Sequence, residues 1–131
     1  MRAALLLACL ACGAAQGAEL ALEGTFERRT DAYSRQVLGD AVCFVPDEKF
    51  EKALPRPAGD DRRAWFCFSN LPAAMKGFAL PAGRKGCGMR GTAQIVVSDY
   101  VVSREGGESV DKARLERVVS KSAPRPIPCN E

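Results

Sequence analysis

The sequence predicts a mainly β domain, a small five-stranded barrel with one or two short helices, stapled by disulfides. Three observations carry that prediction. Residues 20–28 alternate apolar and polar side chains at the period of a strand. Residues 86–102 read as one long strand whose inward track changes parity partway along. Four cysteines remain in a chain of 131 residues once an N-terminal leader is set aside.

The leader is residues 1–17. Arg2 supplies a positive start, and Ala3 to Cys12 form an uninterrupted apolar run, shorter than the roughly 20 residues a bilayer span needs. Ala15 and Gly17 stand where a signal peptidase reads, so cleavage is expected after Gly17 and the mature chain begins at Ala18. Leu6 to Cys9 and Cys9 to Cys12 also resemble a lipobox, which leaves a lipid anchor through Cys12 as the alternative. Losing the leader removes Arg2 and no acid, which lowers the net charge from +3 to +2. That near balance argues against nucleic acid or an anionic membrane surface as a partner. The mature length suits one domain.

Cys43, Cys67, Cys87 and Cys129 then read as two disulfides in an exported chain. A zinc site is disfavoured, because no pair is spaced C-x₂-C and the chain contains no His. The pairing expected is Cys43–Cys129 with Cys67–Cys87. The second bridge would pin both ends of a short helix, and the first would anchor a loose tail.

Leu20, Leu22 and Phe26 share one face of the first strand, with Glu23, Thr25 and Glu27 on the other. Gly24 falls on the apolar track, where a glycine marks a bend or a close backbone approach. After a polar stretch from Arg29 to Ser34, residues 36–45 read as a second strand interrupted near Gly39-Asp40. Asp47 introduces a short helix over 48–54, with Phe50 and Leu54 on one face. A polar loop over 58–63 leads to a third strand, Ala64 to Phe68. Asn70 is placed to cap a second helix in which Leu71, Ala74, Met75 and Phe78 recur at helical spacing.

In the long strand, Ala93, Ile95 and Val97 share one face and Tyr100 and Val102 the other. A one-residue bulge near Ser98-Asp99 would bring both sets to the core. Ser103 to Ser109 form a charged, glycine-rich turn. Residues 110–120 fit a helix or a strand, and the strand is preferred because a barrel needs a fifth strand to close. As a strand it would place Ala113, Leu115 and Val119 on one track. Residues 123–131 form a proline-rich tail tied down by Cys129.

The order strand, strand, strand, helix, strand, strand resembles the OB-fold, a five-stranded Greek-key barrel with a helix between its third and fourth strands. The resemblance covers about residues 19–121 and rests on topology, so it implies a domain over 18–122 and assigns no functional residue. It implies ligand binding on the face made by strands two and three.

Chemistry is hard to find in the chain. Without His the usual general base near neutral pH is missing. Ser120-Lys121, Asp60-Asp61 and Asp99 read as solvated surface, and Gly86 to Gly91 lacks the Lys-Ser/Thr of a phosphate loop. No catalytic residue, cofactor or metal is expected. Binding is the stronger reading. Strands two and three carry apolar side chains on both faces, Val42 and Phe44 opposed to Cys43 and Val45, and Phe66 and Phe68 opposed to Trp65 and Cys67. The second face must be covered, by Phe50 and Leu54, or used. Used, it presents Trp65 and Phe44 rimmed by Arg56, Arg62 and Arg63. The function expected is an exported, non-catalytic binding or inhibitor module of the bacterial periplasm, engaging a protein or envelope component. The alternative is a structural or accessory envelope protein. A small hydrolase or an oligonucleotide binder ranks lower.

Overall fold

A computed structural model describes residues 18–103 and 110–131. The expected leader, Cys12 and most of the 103–109 turn lie outside the described residues. Among the described residues, six strands and three helices follow in the order β1 (Leu20–Arg29), α1 (Ala32–Leu38), β2 (Cys43–Pro46), α2 (Glu48–Glu51), β3 (Phe66–Phe68), α3 (Leu71–Gly77), β4 (Gly88–Val101), β5 (Asp111–Lys121) and β6 (Arg125–Pro126). The sheet runs β1-β2-β3-β5-β4, and β4 pairs again with β1, so five strands close a ring. The β3–β5 pairing is parallel and the other four contacts of the ring are antiparallel. The mainly β, disulfide-stapled architecture is the one the sequence predicts, with three helices in place of one or two.

Inside the ring, Leu22 and Phe26 from β1 meet Phe44 from β2, Phe66 and Phe68 from β3, Ile95 and Val97 from β4, and Ala113 and Leu115 from β5. Phe26 stacks on Phe78 of the α3 end at 4.3 Å between centroids, and Phe66 meets Phe44, Phe68 and Tyr100 at 5.4–5.7 Å. Such aromatic pairs add about 0.5–1.5 kcal/mol each beyond area burial. Gly24 is the close approach the sequence marks. A Cβ there would lie 2.8 Å from Pro46 Cα and 2.9 Å from Phe44 Cε1, and against the Val45 carbonyl oxygen.

The bulge in β4 is present. Asp99 has φ 50° and the β4–β5 register shifts between Ser98 and Val101, which turns Tyr100 toward the core. Two further shifts lie between Gln94 and Ile95 and between Val96 and Val97. They change parity in β5 as well. Residues 111–121 are a strand, as preferred, but Val119 is 60% exposed and Val118 packs against the core in its place.

Three expectations are corrected. Residues 36–38 are helical: Asp31 accepts a hydrogen bond from Ser34 N–H at 3.0 Å, a local N-cap that starts α1 and confines β2 to Cys43–Pro46. Asn70 stands at the N-cap position of α3, but its side chain makes no cap hydrogen bond. Its side-chain amide donates to Leu115 O at 2.9 Å and accepts from Leu115 N–H at 2.8 Å, extending the β3–β5 ladder by one side chain. The disulfides are Cys43–Cys67 and Cys87–Cys129. Cys43 and Cys67 are register partners on neighbouring strands, so the expected Cys43–Cys129 and Cys67–Cys87 pairings are excluded. Cys129 does tie down the tail, to Cys87, helped by β6 pairing with Met89 and Arg90, by buried Ile127 and by an Arg90–Glu131 ion pair.

Candidate functional site

The outer face of β2 and β3 is where the sequence concentrates surplus apolar side chains. The Cys43–Cys67 bridge absorbs part of that surplus, since both residues are buried. Phe44 is fully buried on the inward track, against Phe66 and Phe68, so it belongs to the core and not to a binding face. Phe50 and Leu54 also join the core cluster. They do not bury Trp65, which lies just before β3 and remains 39% exposed.

The structure brings together the other four residues expected at the site. Arg56, Arg62, Arg63 and Trp65 line one small cleft, together with Val110 and Asp111. A carboxylate holds one of the arginines in place, and a second arginine makes an exposed ion pair. Arg62 forks onto Asp60, with Nε at 2.9 Å from Oδ1 and Nη2 at 2.7 Å from Oδ2, and its backbone N–H also donates to Oδ1. The bonds from Arg62 hold the Asp60 carboxyl well below the usual carboxylate range, and in return they raise the Arg62 guanidinium. Arg63 Nε lies 3.4 Å from Glu51 Oε1. Among the described residues, Arg56 forms no ion pair.

Asp111 and Tyr100 were not read as site residues from the sequence. Asp111 is buried beside the cleft and accepts from Tyr100 Oη–H at 2.6 Å and from Ser103 N–H at 2.7 Å. Burial, and next the bond to Asp111, push the Tyr100 phenol far above its usual range. The signal for this pair was the bulge, which puts Tyr100 opposite the start of β5. Three guanidinium groups thus share the cleft region with the carboxylates of Glu51, Asp60 and Asp111. The site is close to charge balance, and it offers an aromatic face with fixed donors rather than a bare cationic patch.

The residues weighed for catalysis are dispersed. Asp61 and Asp99 are exposed, and Asp60 is held by Arg62. Ser120 and Lys121 line a shallow polar groove of about 290 Å³ with Glu23, Asp47 and Gln94. There Lys121 Nζ donates to Ser122 O at 3.3 Å. Among the described residues no cluster of Cys, Asp and Glu could hold a metal ion, and no helix is long and apolar enough to cross a membrane. Compared with known proteins, the chain matches no family model, no curated protein and no solved structure.

Proposed function

We propose that the chain is an exported, non-catalytic binding or inhibitor module that engages a protein or envelope component through the Trp65 face. The observation that carries this reading is the exposed indole set among three arginines, one held by a carboxylate and a second paired with one. Tryptophan and arginine dominate interaction hot spots, and donors fixed before binding reduce the entropy lost on association. The ring order, the parallel β3–β5 pairing and a helix between β3 and β4 support the OB-fold resemblance, whose ligand face is built on strands two and three. Two disulfides are compatible with an oxidising compartment and so support export.

The test is capture from periplasmic extract by the oxidised mature protein, with captured proteins identified by mass spectrometry. Trp65→Ala and the pair Arg62→Glu with Arg63→Glu should each abolish capture. Trp65→Ala should lower stability by about 2–3 kcal/mol, since roughly three fifths of the residue is out of water. Retained capture with both variants refutes the Trp65 face. A sharper loss of stability on Trp65→Ala would make the indole structural.

A further inference from the structure

A second site lies elsewhere in the molecule and involves none of the Trp65-face residues. The inward track of β1 runs Leu22, Gly24, Phe26 and then Arg28. Arg28 is only 6% exposed, so a permanently charged guanidinium ends a core-facing row. Its Nη1 donates to the carbonyls of Pro81 at 3.2 Å and Gly83 at 3.0 Å, which braces the α3–β4 connection. That bracing accounts for one nitrogen of three. Among the described residues, Nε is buried without a partner. Nη2 has the Asp40 carboxylate at 3.7 Å, beyond hydrogen-bond reach. Asp40 is itself forked by Arg84, through Nε at 3.1 Å and through Nη2. A buried cation normally has a directly bonded anion, and among the described residues Arg28 has none within hydrogen-bond reach.

Arg28 lines a cavity of about 90 Å³. Leu80, Pro81 and Met89 supply apolar wall, and Thr30 and the exposed Lys85 also line it. The Thr30 hydroxyl is already given to Gly86 O at 2.9 Å. The volume corresponds to about three waters at roughly 30 Å³ each, room for a carboxylate and two or three carbons. The buried Arg28 guanidinium selects an anion, and the charge of Lys85 at the same cavity adds to that preference. The apolar wall favours an aliphatic acid over phosphate or sulfate, whose oxygens would face carbon on one side.

We propose that this cavity binds a carboxylate carrying a short aliphatic group, with Arg28 and Lys85 as its counter-charges and Leu80, Pro81 and Met89 against its carbons. Such a group exists as a free small acid and as the C-terminal residue of a peptide ending in a small apolar side chain.

The test is a titration of the oxidised mature protein with propionate, followed by ¹H–¹⁵N NMR on the Arg28 Nε–H and the backbone amides of Lys85 and Met89. Propionamide and sodium chloride at matched ionic strength are the controls. Propionate should shift these resonances saturably, with propionamide and chloride leaving them in place. Lys85→Glu, at an exposed position, should weaken binding by at least about fivefold, since it removes one attractive charge pair and adds a repulsive one. Arg28→Lys should abolish it, and if that variant fails to fold, Lys85→Glu decides alone. A short peptide ending in Ala, compared with its C-terminal amide, separates the sources. Tighter binding of the free-acid peptide than of propionate assigns a peptide C-terminus, and weaker or equal binding assigns a free acid. Shifts shared by propionate and propionamide, shifts reproduced by chloride, absence of saturable shifts, or unchanged binding in Lys85→Glu would each overturn the proposal.

Discussion

Asn70 exchanges two hydrogen bonds with the backbone of Leu115, donating to its carbonyl at 2.9 Å and accepting from its N–H at 2.8 Å. One side chain thereby does what the next residue of β3 would do. β3 is three residues long, and β5 continues well beyond it, so without Asn70 the Leu115 backbone would lose its partner on that side. Asn70→Ala should cost about 2–3 kcal/mol, as two partly buried backbone groups lose their bonds. Asn70→Asp keeps the acceptor but turns a carboxylate toward a carbonyl. Relative to the unaltered protein, its deficit should be larger at neutral pH than at about pH 3, where a protonated carboxyl donates again. Denaturant unfolding of both variants at the two pH values checks this.

The Gly24 contact supports a second prediction. Gly24→Ala should destabilise by about 3 kcal/mol, because the added methyl meets backbone atoms of Val45 and Pro46 rather than a side chain that can rotate away. Thermal unfolding reads it directly. A loss below about 1 kcal/mol would mean that β1 and β2 can separate at this point at little cost.

What the sequence makes legible follows the physics of each element. Gly24 and the Ser98–Asp99 bulge are visible because each breaks the period-2 pattern of its own strand, and both are where the pattern puts them. The Trp65–arginine cluster is visible because Trp65, Arg62 and Arg63 are close in the chain. The disulfide pairing is not visible in this way. It depends on β2 lying beside β3, which brings Cys43 opposite Cys67, and spacing along the chain says nothing about register. Phe44 lies inside and not on the outer face for a related reason: periodicity separates two faces of a strand without saying which is inside. Arg28 lies on a legible inward track, but charge alone suggests solvent. The segment over 36–38 reads apolar enough for a strand, and a single capping bond from Asp31 makes it helical.

Ala79 offers a stabilising substitution. It follows α3 with φ 52°, left-handed for a residue with a side chain. Its N–H and that of Leu80 bond back to Lys76 O at 3.1 Å and Met75 O at 2.9 Å, the double closure that normally places glycine at this position. Its Cβ is exposed, so little packing is lost. Ala79→Gly should raise stability by about 0.5–1 kcal/mol, or a few degrees in Tm. Ala79→Val should lower it, since β-branching adds to the strain. Equal Tm values for all three would show that this backbone conformation carries no cost.

The last prediction concerns alkaline pH and the Tyr100–Asp111 bond beside the Trp65 cleft. Burial raises the Tyr100 phenol far above the value of about 10 at which an unfolded tyrosine ionises. Above that pH the unfolded chain has released this proton and the native chain still holds it. The unfolded state then binds fewer protons, so stability falls as pH rises, while below about pH 10 this contribution is intact. The slope from one group is at most about 1.4 kcal/mol per pH unit, and solvent reaching the half-buried ring reduces it. Tyr100→Phe removes both effects. It should cost about 1–2 kcal/mol at neutral pH, where the hydroxyl no longer reaches the Asp111 carboxylate. It should also lose the alkaline slope, so the two proteins approach equal stability by about pH 11. Denaturant unfolding of both across that range reads the gap. A gap that stays constant would show that Tyr100 ionises in the folded protein, and that its bond to Asp111 does not hold the proton in place.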